Sequence, residues 1–342
     1  MRCEHFHIPN WARALAVACI AAAGLVAIVG SGGGSVSLLP DWDNIPTPPP
    51  PPASTLRVEP EYVTRLAGTS VTFTAQSTSA AGDITYQWSR SFDGGKSFVD
   101  IAGATGRSYS LSGVTLADDG AVFRVVARPL SSGRSESALG HLAIATRPAI
   151  VFADGEFLDD DWLVSPVIDS SGPTFVHSDE RAATGGNPGA FRRMTEQLQQ
   201  NSIARVFYLS KSATYDPATQ GAVYVIDYAE DCIDMESSEL IGVYSDFVIE
   251  QAGRRYYSFR PSPTTSHTCN QLNWSAGPSL SSLGRDDFRR WSGPACDVGE
   301  ICPDFSANGK PMRFGFLREV AGSYGVVVVH GIDNWKVTVW GR

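Results

Sequence analysis

Residues 86–128 read YQWSRSFDGGKSFVDIAGATGRSYSLSGVTLADDGAVFRVVAR, and this stretch decides the fold class. Tyr86 and Trp88 flank Gln87, and Phe123 and Val125 flank Arg124, so apolar side chains recur at every second residue. Successive side chains of a strand point to opposite faces, so a period of two marks a half-buried strand. Turn residues at Asp93–Gly95 separate such runs. Just upstream, VTFTAQS repeats the alternation, with Val71, Phe73 and Ala75 set against Thr72 and Thr74. Short alternating strands between turns predict an antiparallel β-sandwich over residues 56–146.

Downstream, the second domain spans 148–342. ARVFYLS, GAVYVIDY, RYYSFRP, RFGFLREV, YGVVVVHGI and NWKVTVW all read as strands. AFRRMTEQLQQ, residues 190–200, reads equally as helix or strand. Many short strands predict a larger sandwich or jelly roll, so the expected fold class is all-β throughout. Upstream, residues 32–55 form a Gly, Ser and Pro-rich linker, with five consecutive prolines from Pro48 to Pro52. Polyproline rises ~3.1 Å per residue, so that run is a stiff spacer of about 15 Å. Residues 1–31 hold Arg2 and Arg13 ahead of the apolar run ALAVACIAAAGLVAIV. That is the pattern of a signal peptide, with an uncleaved signal anchor as the alternative. An extracytoplasmic location follows, whether periplasm, cell surface or secreted, with membrane contact only through the N-terminal segment.

The chain has 342 residues, 43% hydrophobic and 18% charged, enough for a sizeable core. Its net charge of -9 comes without a basic cluster, which argues against nucleic acid as a partner. Beyond Cys3 and Cys19 in the leader, the cysteines are Cys232, Cys269, Cys296 and Cys302. An even set in an exported region predicts disulfides, and four cysteines allow three connectivities. No C-x2-C pair occurs, which disfavours zinc. We expect the sequential pairing, Cys232–Cys269 and Cys296–Cys302.

The segment AIVGSGGGS resembles a bacterial lipoprotein signal, but Ser31 stands where the lipidated cysteine belongs. Serine forms no thioether, so cleavage near Ser31 is expected instead. Over 56–146 the chain resembles a bacterial immunoglobulin-like domain. Trp88 occupies the core tryptophan place, ADDGAVFRV the turn into the sixth strand, and Ala75 and Val125 the places of the intersheet cysteines. The resemblance implies a spacer or an adhesive module held by apolar packing alone. In the second domain FADGEFLDDDWLVS, GGNPGAFRRM, YDPATQGAVYVIDY and GIDNWKVTV resemble concanavalin-like jelly rolls, including laminin type IV and carbohydrate-binding modules. That resemblance implies a polysaccharide or surface glycan as partner, with a protein partner as the alternative. It also implies a structural calcium on Asp154, Glu156 and Asp333, whose hard oxygens suit that ion. A capped turn at Asp333 and Asn334 is the competing account. No other cofactor is expected.

Aromatic rings stack on the apolar faces of sugars while polar neighbours bond the hydroxyls. The candidate ligand-binding residues are Trp274, Trp291, Tyr256, Tyr257 and Trp162; Trp335, in an alternating strand, reads as core. No enzyme activity is expected. CIDME, Cys232 to Glu236, resembles the strand motif of laminarinase-type glycoside hydrolases, with Asp234 and Glu236 in place but Cys232 where the nucleophilic carboxylate belongs. No G-x-S-x-G or H-E-x-x-H occurs. The expected function is therefore a non-catalytic envelope or surface protein, glycan-binding or adhesive. A structural or protein-interaction protein and a diverged glycoside hydrolase are the alternatives.

Overall fold

The computed structural model describes residues 56–77, 84–129, 135–167, 175–198, 202–235, 242–259, 269, 272–277, 279–291, 302–322 and 326–342. The leader 1–31, the linker 32–55, Glu236 and Cys296 lie outside the described residues.

The first eight strands are β1 (Leu56–Glu59), β2 (Tyr62–Leu66), β3 (Val71–Ser77), β4 (Ile84–Ser91), β5 (Val99–Asp100), β6 (Ser108–Leu111), β7 (Val122–Pro129) and β8 (Glu136–Ala145). They form a three-stranded sheet, β1-β3-β6, and a five-stranded sheet, β2-β8-β7-β4-β5. All pairings are antiparallel except β2 with β8. The alternation seen in the sequence becomes the core: Phe73, Ala75, Trp88, Phe123 and Val125 are fully buried in one cluster. Trp88 keeps its indole N–H satisfied by donating to the Gly106 carbonyl at 2.9 Å.

The larger sandwich comprises β9 (Arg147–Asp154), β10 (Trp162–Val167), β11 (Val176–Gly186), β12 (Gly189–Leu198), β13 (Ser202–Tyr215), the one-turn helix α1 (Pro217–Gln220), β14 (Val223–Asp234), β15 (Gly242–Gln251), β16 (Arg254–Ser258), β17 (Ser275–Ala276), β18 (Leu280–Leu283), β19 (Phe288–Arg290), β20 (Met312–Gly322) and β21 (Val326–Gly341). One sheet runs β10-β13-β20-β15-β16-β19. The other runs β11-β12-β21-β14-β17, with β18 on β14 and β9 on the second half of β21. The ambiguous stretch 190–200 is therefore a strand through Leu198. Its register on β21 buries Arg192, Met194, Glu196 and Leu198 on one face, a period of two that a helix would scramble.

Between the two sheets lies an aromatic core, including Trp162, Tyr208, Tyr228, Phe247, Phe316 and Trp335. A polar layer interrupts it. Glu230 and Arg318, both wholly buried, pair at 2.7 Å, and the Tyr228 hydroxyl donates to the other Glu230 oxygen. Glu196 receives His330 Nε2 at 2.6 Å and His177 Nδ1 at 3.0 Å. Asp179 accepts from His177 Nε2 at 3.2 Å and from Arg192. Burial opposes the His177 charge, but Asp179 and Glu196 outweigh it and raise its pKa to about 9. Burial likewise opposes ionised Glu196, yet His330 and His177 lower its pKa to about 2.

Cys232 and Cys269 form a disulfide, as the sequential pairing expects. Cys232 lies on β14, while the Cys269 N–H donates to the Val243 carbonyl on β15, so the bridge staples the two sheets together. Cys302 is buried in the aromatic core. At the junction of the sandwiches, Asp119 accepts from the Ile144 N–H, the Tyr224 hydroxyl and Arg342. Arg147 donates to the carbonyls of Gln220 and Ala222, both at 2.7 Å.

Candidate functional site

The outer face of the six-stranded sheet gathers the most unusual set of side chains. Alternation sends one residue of each pair inward, and the other builds this face. β13 contributes Arg205, Phe207 and Leu209, β20 contributes Leu317 and Glu319, and β15 contributes Asp246, Val248 and Glu250. β16 contributes Arg255 and Tyr257, and Trp291 follows β19 with its N–H donating to the Arg255 carbonyl at 2.9 Å.

This face is concave, and one hydrogen bond proves it. Arg255 Nη2 on β16 donates to Ser165 Oγ on β10 at 3.1 Å. Those strands stand four places apart in the sheet. At roughly 4.8 Å per strand a flat sheet would separate them by about 19 Å, far beyond the reach of an arginine. The sheet must curl until β16, next to the edge strand β19, approaches the opposite edge strand β10 over the middle.

Phe207, Leu209, Val248 and Leu317 form a buried floor, against which Tyr257, Trp291 and Val167 pack half-buried. Trp291 stands edge-on to Phe207 at 4.9 Å and to Tyr257 at 6.0 Å. The Arg255 guanidinium lies 4.8 Å over Phe207, and that of Arg205 lies 5.6 Å from the Trp291 ring. Arg205 pairs with Glu319 at 2.5 Å, while Glu250 holds Arg255 at 3.3 Å and Arg313 at 3.6 Å. Chemically, two half-exposed rings are framed by guanidinium donors and carboxylate acceptors with fixed orientations. That combination accommodates a flat apolar ring face carrying hydroxyls at its rim.

Of the five aromatics singled out in the sequence, the structure brings together Trp291 and Tyr257. Trp162 and Tyr256 are corrections: both are buried in the aromatic core, at 4% and 2% exposure, because even-numbered positions on β10 and β16 face inward. The Trp162 indole also donates to Asp154 at 2.8 Å. Trp274 packs edge-on against Phe191 at 5.3 Å and donates to the Gly185 carbonyl, remote from the concave face on the other sheet. Trp335 is core, as its alternation predicts. Sequence reading missed Arg205, Phe207, Glu250, Arg255 and Glu319. The alternation in ARVFYLS was a signal for the first two, but only the register shows that they meet.

The acidic candidates separate. Asp154 accepts from the N–H groups of Glu156 and Phe157, and Glu156 instead pairs with Arg181 at 2.6 Å. Buried Asp333 accepts from the N–H of its neighbour Asn334 at 2.6 Å, a local bond, and from the N–H of Asn187 at 2.5 Å, which reaches it across 146 residues from the GGNPG turn. A Cβ at Gly186 would come within 2.5 Å of the Ala190 carbonyl and 2.7 Å of Asp333 Oδ2, so the glycine is what lets the GGNPG turn pack this close to Asp333. Burial raises the Asp333 pKa, and nearby Asp231 and Asp154 add to the rise. Among the described residues, no group of three or more His, Cys, Asp or Glu side chains is placed to hold a metal ion. In CIDME, Cys232 is committed to its bridge and Asp234 is buried between the sheets, so neither faces the concave surface.

The molecule thus defines an all-β protein of two sandwiches with a concave aromatic face. No family model matches the chain, and no curated protein does. Among solved structures it is similar to a family 11 carbohydrate-binding module from Clostridium thermocellum in complex with a β-1,3-1,4-mixed-linked tetrasaccharide. That match has 11% identity and a TM-score of 0.35, covering 58% of this chain and 98% of the other. It is also similar to SGBP-B from a complex xyloglucan utilization locus in Bacteroides uniformis, at 14% identity and a TM-score of 0.26, covering 82% of this chain and 72% of that one.

Proposed function

We propose that this chain is an exported, non-catalytic glycan-binding protein of the bacterial envelope. Its concave face takes the ligand, and the proline run and an immunoglobulin-like first sandwich hold that face away from the surface. The observation that carries the reading is the meeting of half-exposed Trp291 and Tyr257 within a frame of Arg205, Glu319, Arg255 and Glu250. The disulfide supports export, since such bonds persist in oxidising compartments. Trp291→Ala and Tyr257→Ala should each weaken retention by soluble β-glucan or xyloglucan about tenfold, read by affinity electrophoresis and calorimetry. Unchanged binding in both variants would refute this site.

A second reading has its own support. The floor is already covered, with Phe207 fully buried and Arg255 tied to Ser165, as suits a surface that docks a protein. Pull-down of a defined envelope protein that survives Trp291→Ala and competing glycan would favour it. Structural calcium on Asp154, Glu156 and Asp333 is a proposal that rests on the hard oxygen chemistry of those side chains. Melting in EDTA and in millimolar calcium should then differ, and identical curves would exclude a bound ion.

A further inference from the structure

A cleft runs along the seam between the two sandwiches, away from the concave face. One compartment, about 400 Å³, is lined by Arg57, Glu59, Glu61 and Tyr62 from the smaller sandwich and by Ser279 from the larger. Another, about 420 Å³, is lined by Asp154, Asp231, Asn334 and Lys336. Ala276 and Ser279 line both, so the compartments are contiguous. Each volume falls within the roughly 300–1,000 Å³ of small-ligand sites.

The walls select the ligand chemistry. Five carboxylate residues line the cleft, of which Glu230 is already paired with Arg318, so four against the cationic Arg57 and Lys336 disfavour an anion, and the density of polar groups disfavours an apolar molecule. Carboxylates accept, Arg57 and Lys336 donate, and Ser279 does both, so groups of either kind face the cleft. The Tyr62 ring is stiffened by His141, stacked at 4.5 Å with 9° between the planes. Asp231 Oδ2 is held by Asn334 Nδ2 at 2.7 Å and Asn187 Nδ2 at 3.2 Å, which fixes an acceptor array before any ligand arrives. An aromatic ring beside fixed donors and acceptors matches a neutral chain of hydroxyl-bearing rings.

We propose that the seam is a second saccharide-binding site, separate from the concave face and built jointly by the two sandwiches. It rests on the reading that the ligand is a glycan. The test uses the full chain on an array carrying β-glucans, xyloglucan, chitin oligosaccharides and N-glycans. Trp291→Ala should leave residual binding to at least one glycan. Adding Ser279→Trp, which fills the shared wall, should cut that residue at least about tenfold. Asp231→Asn, isosteric and milder, should reduce it in the same direction, and circular dichroism and melting confirm that both variants fold. If Trp291→Ala alone abolishes all binding, or if neither seam variant affects the residue, the seam proposal is overturned while the concave site stands. If no glycan binds the unmodified chain, the glycan reading and the seam fall together.

Discussion

Removing the Cys232–Cys269 bridge is the perturbation whose size the structure specifies best. The two residues are 37 apart in sequence. Closing a loop of that length in the unfolded chain costs roughly 13 cal/mol/K in the chain-entropy model, or about 4 kcal/mol at 25 °C. The bridge joins buried sulfurs, with Cys232 at 0% and Cys269 at 8% exposure, so the native state holds the pair whether or not they are bonded. Cys232→Ala/Cys269→Ala should therefore lower unfolding free energy by about 3–4 kcal/mol, chiefly by freeing the denatured ensemble. The m-value should rise, because an uncrosslinked chain exposes more surface. Urea unfolding followed by tryptophan fluorescence reports mainly on the larger sandwich, since Trp88 is the sole described tryptophan of the smaller one. A loss below about 1 kcal/mol with unchanged m would refute the reasoning. So would two reactive thiols at these positions in the native exported protein.

Three further perturbations test the interior. Glu230→Gln leaves Arg318 buried without its counter-charge and should cost about 3–5 kcal/mol, whereas Glu230→Leu/Arg318→Met should recover most of that loss; equal losses in chemical denaturation would contradict the pairing. The His177 pKa is raised, so its contribution is fully present below about pH 6.5 and disappears as pH climbs through about 9. The Glu196 pKa is depressed, so its contribution is present above about 4.5 and vanishes as pH falls through about 2. Melting temperature should thus plateau between those windows, and His177→Gln should flatten the alkaline limb; an unaltered limb would assign it to another group. At Gly315 a Cβ would stand 1.9 Å from the Tyr208 carbonyl oxygen, so Gly315→Ala should destabilise by about 1–3 kcal/mol, measurable by calorimetry.

The sequence by itself determined what is local or periodic. Alternation placed Phe73, Ala75, Trp88, Phe123 and Val125 in one core, and Trp335 in another, because a strand's period of two ties burial to position parity. The Asn334 bond to Asp333 was legible because it joins neighbours, whereas the Asn187 N–H that Asp333 also accepts comes from 146 residues away and only the fold brings it there. Parity cannot say which face of a two-sheet layer is interior, so Tyr256 and Tyr257, adjacent in sequence, looked alike until the sheet separated them into core and surface. Nor does sequence carry register across the sheet. Arg255 and Ser165 are 90 residues apart, and they meet only because the sheet curls. The buried layer of Glu196, His177, His330, Glu230 and Arg318 was invisible for the same reason. Charges on separate strands look solvent-exposed one at a time, and only tertiary packing places them opposite the partners that make their burial tolerable.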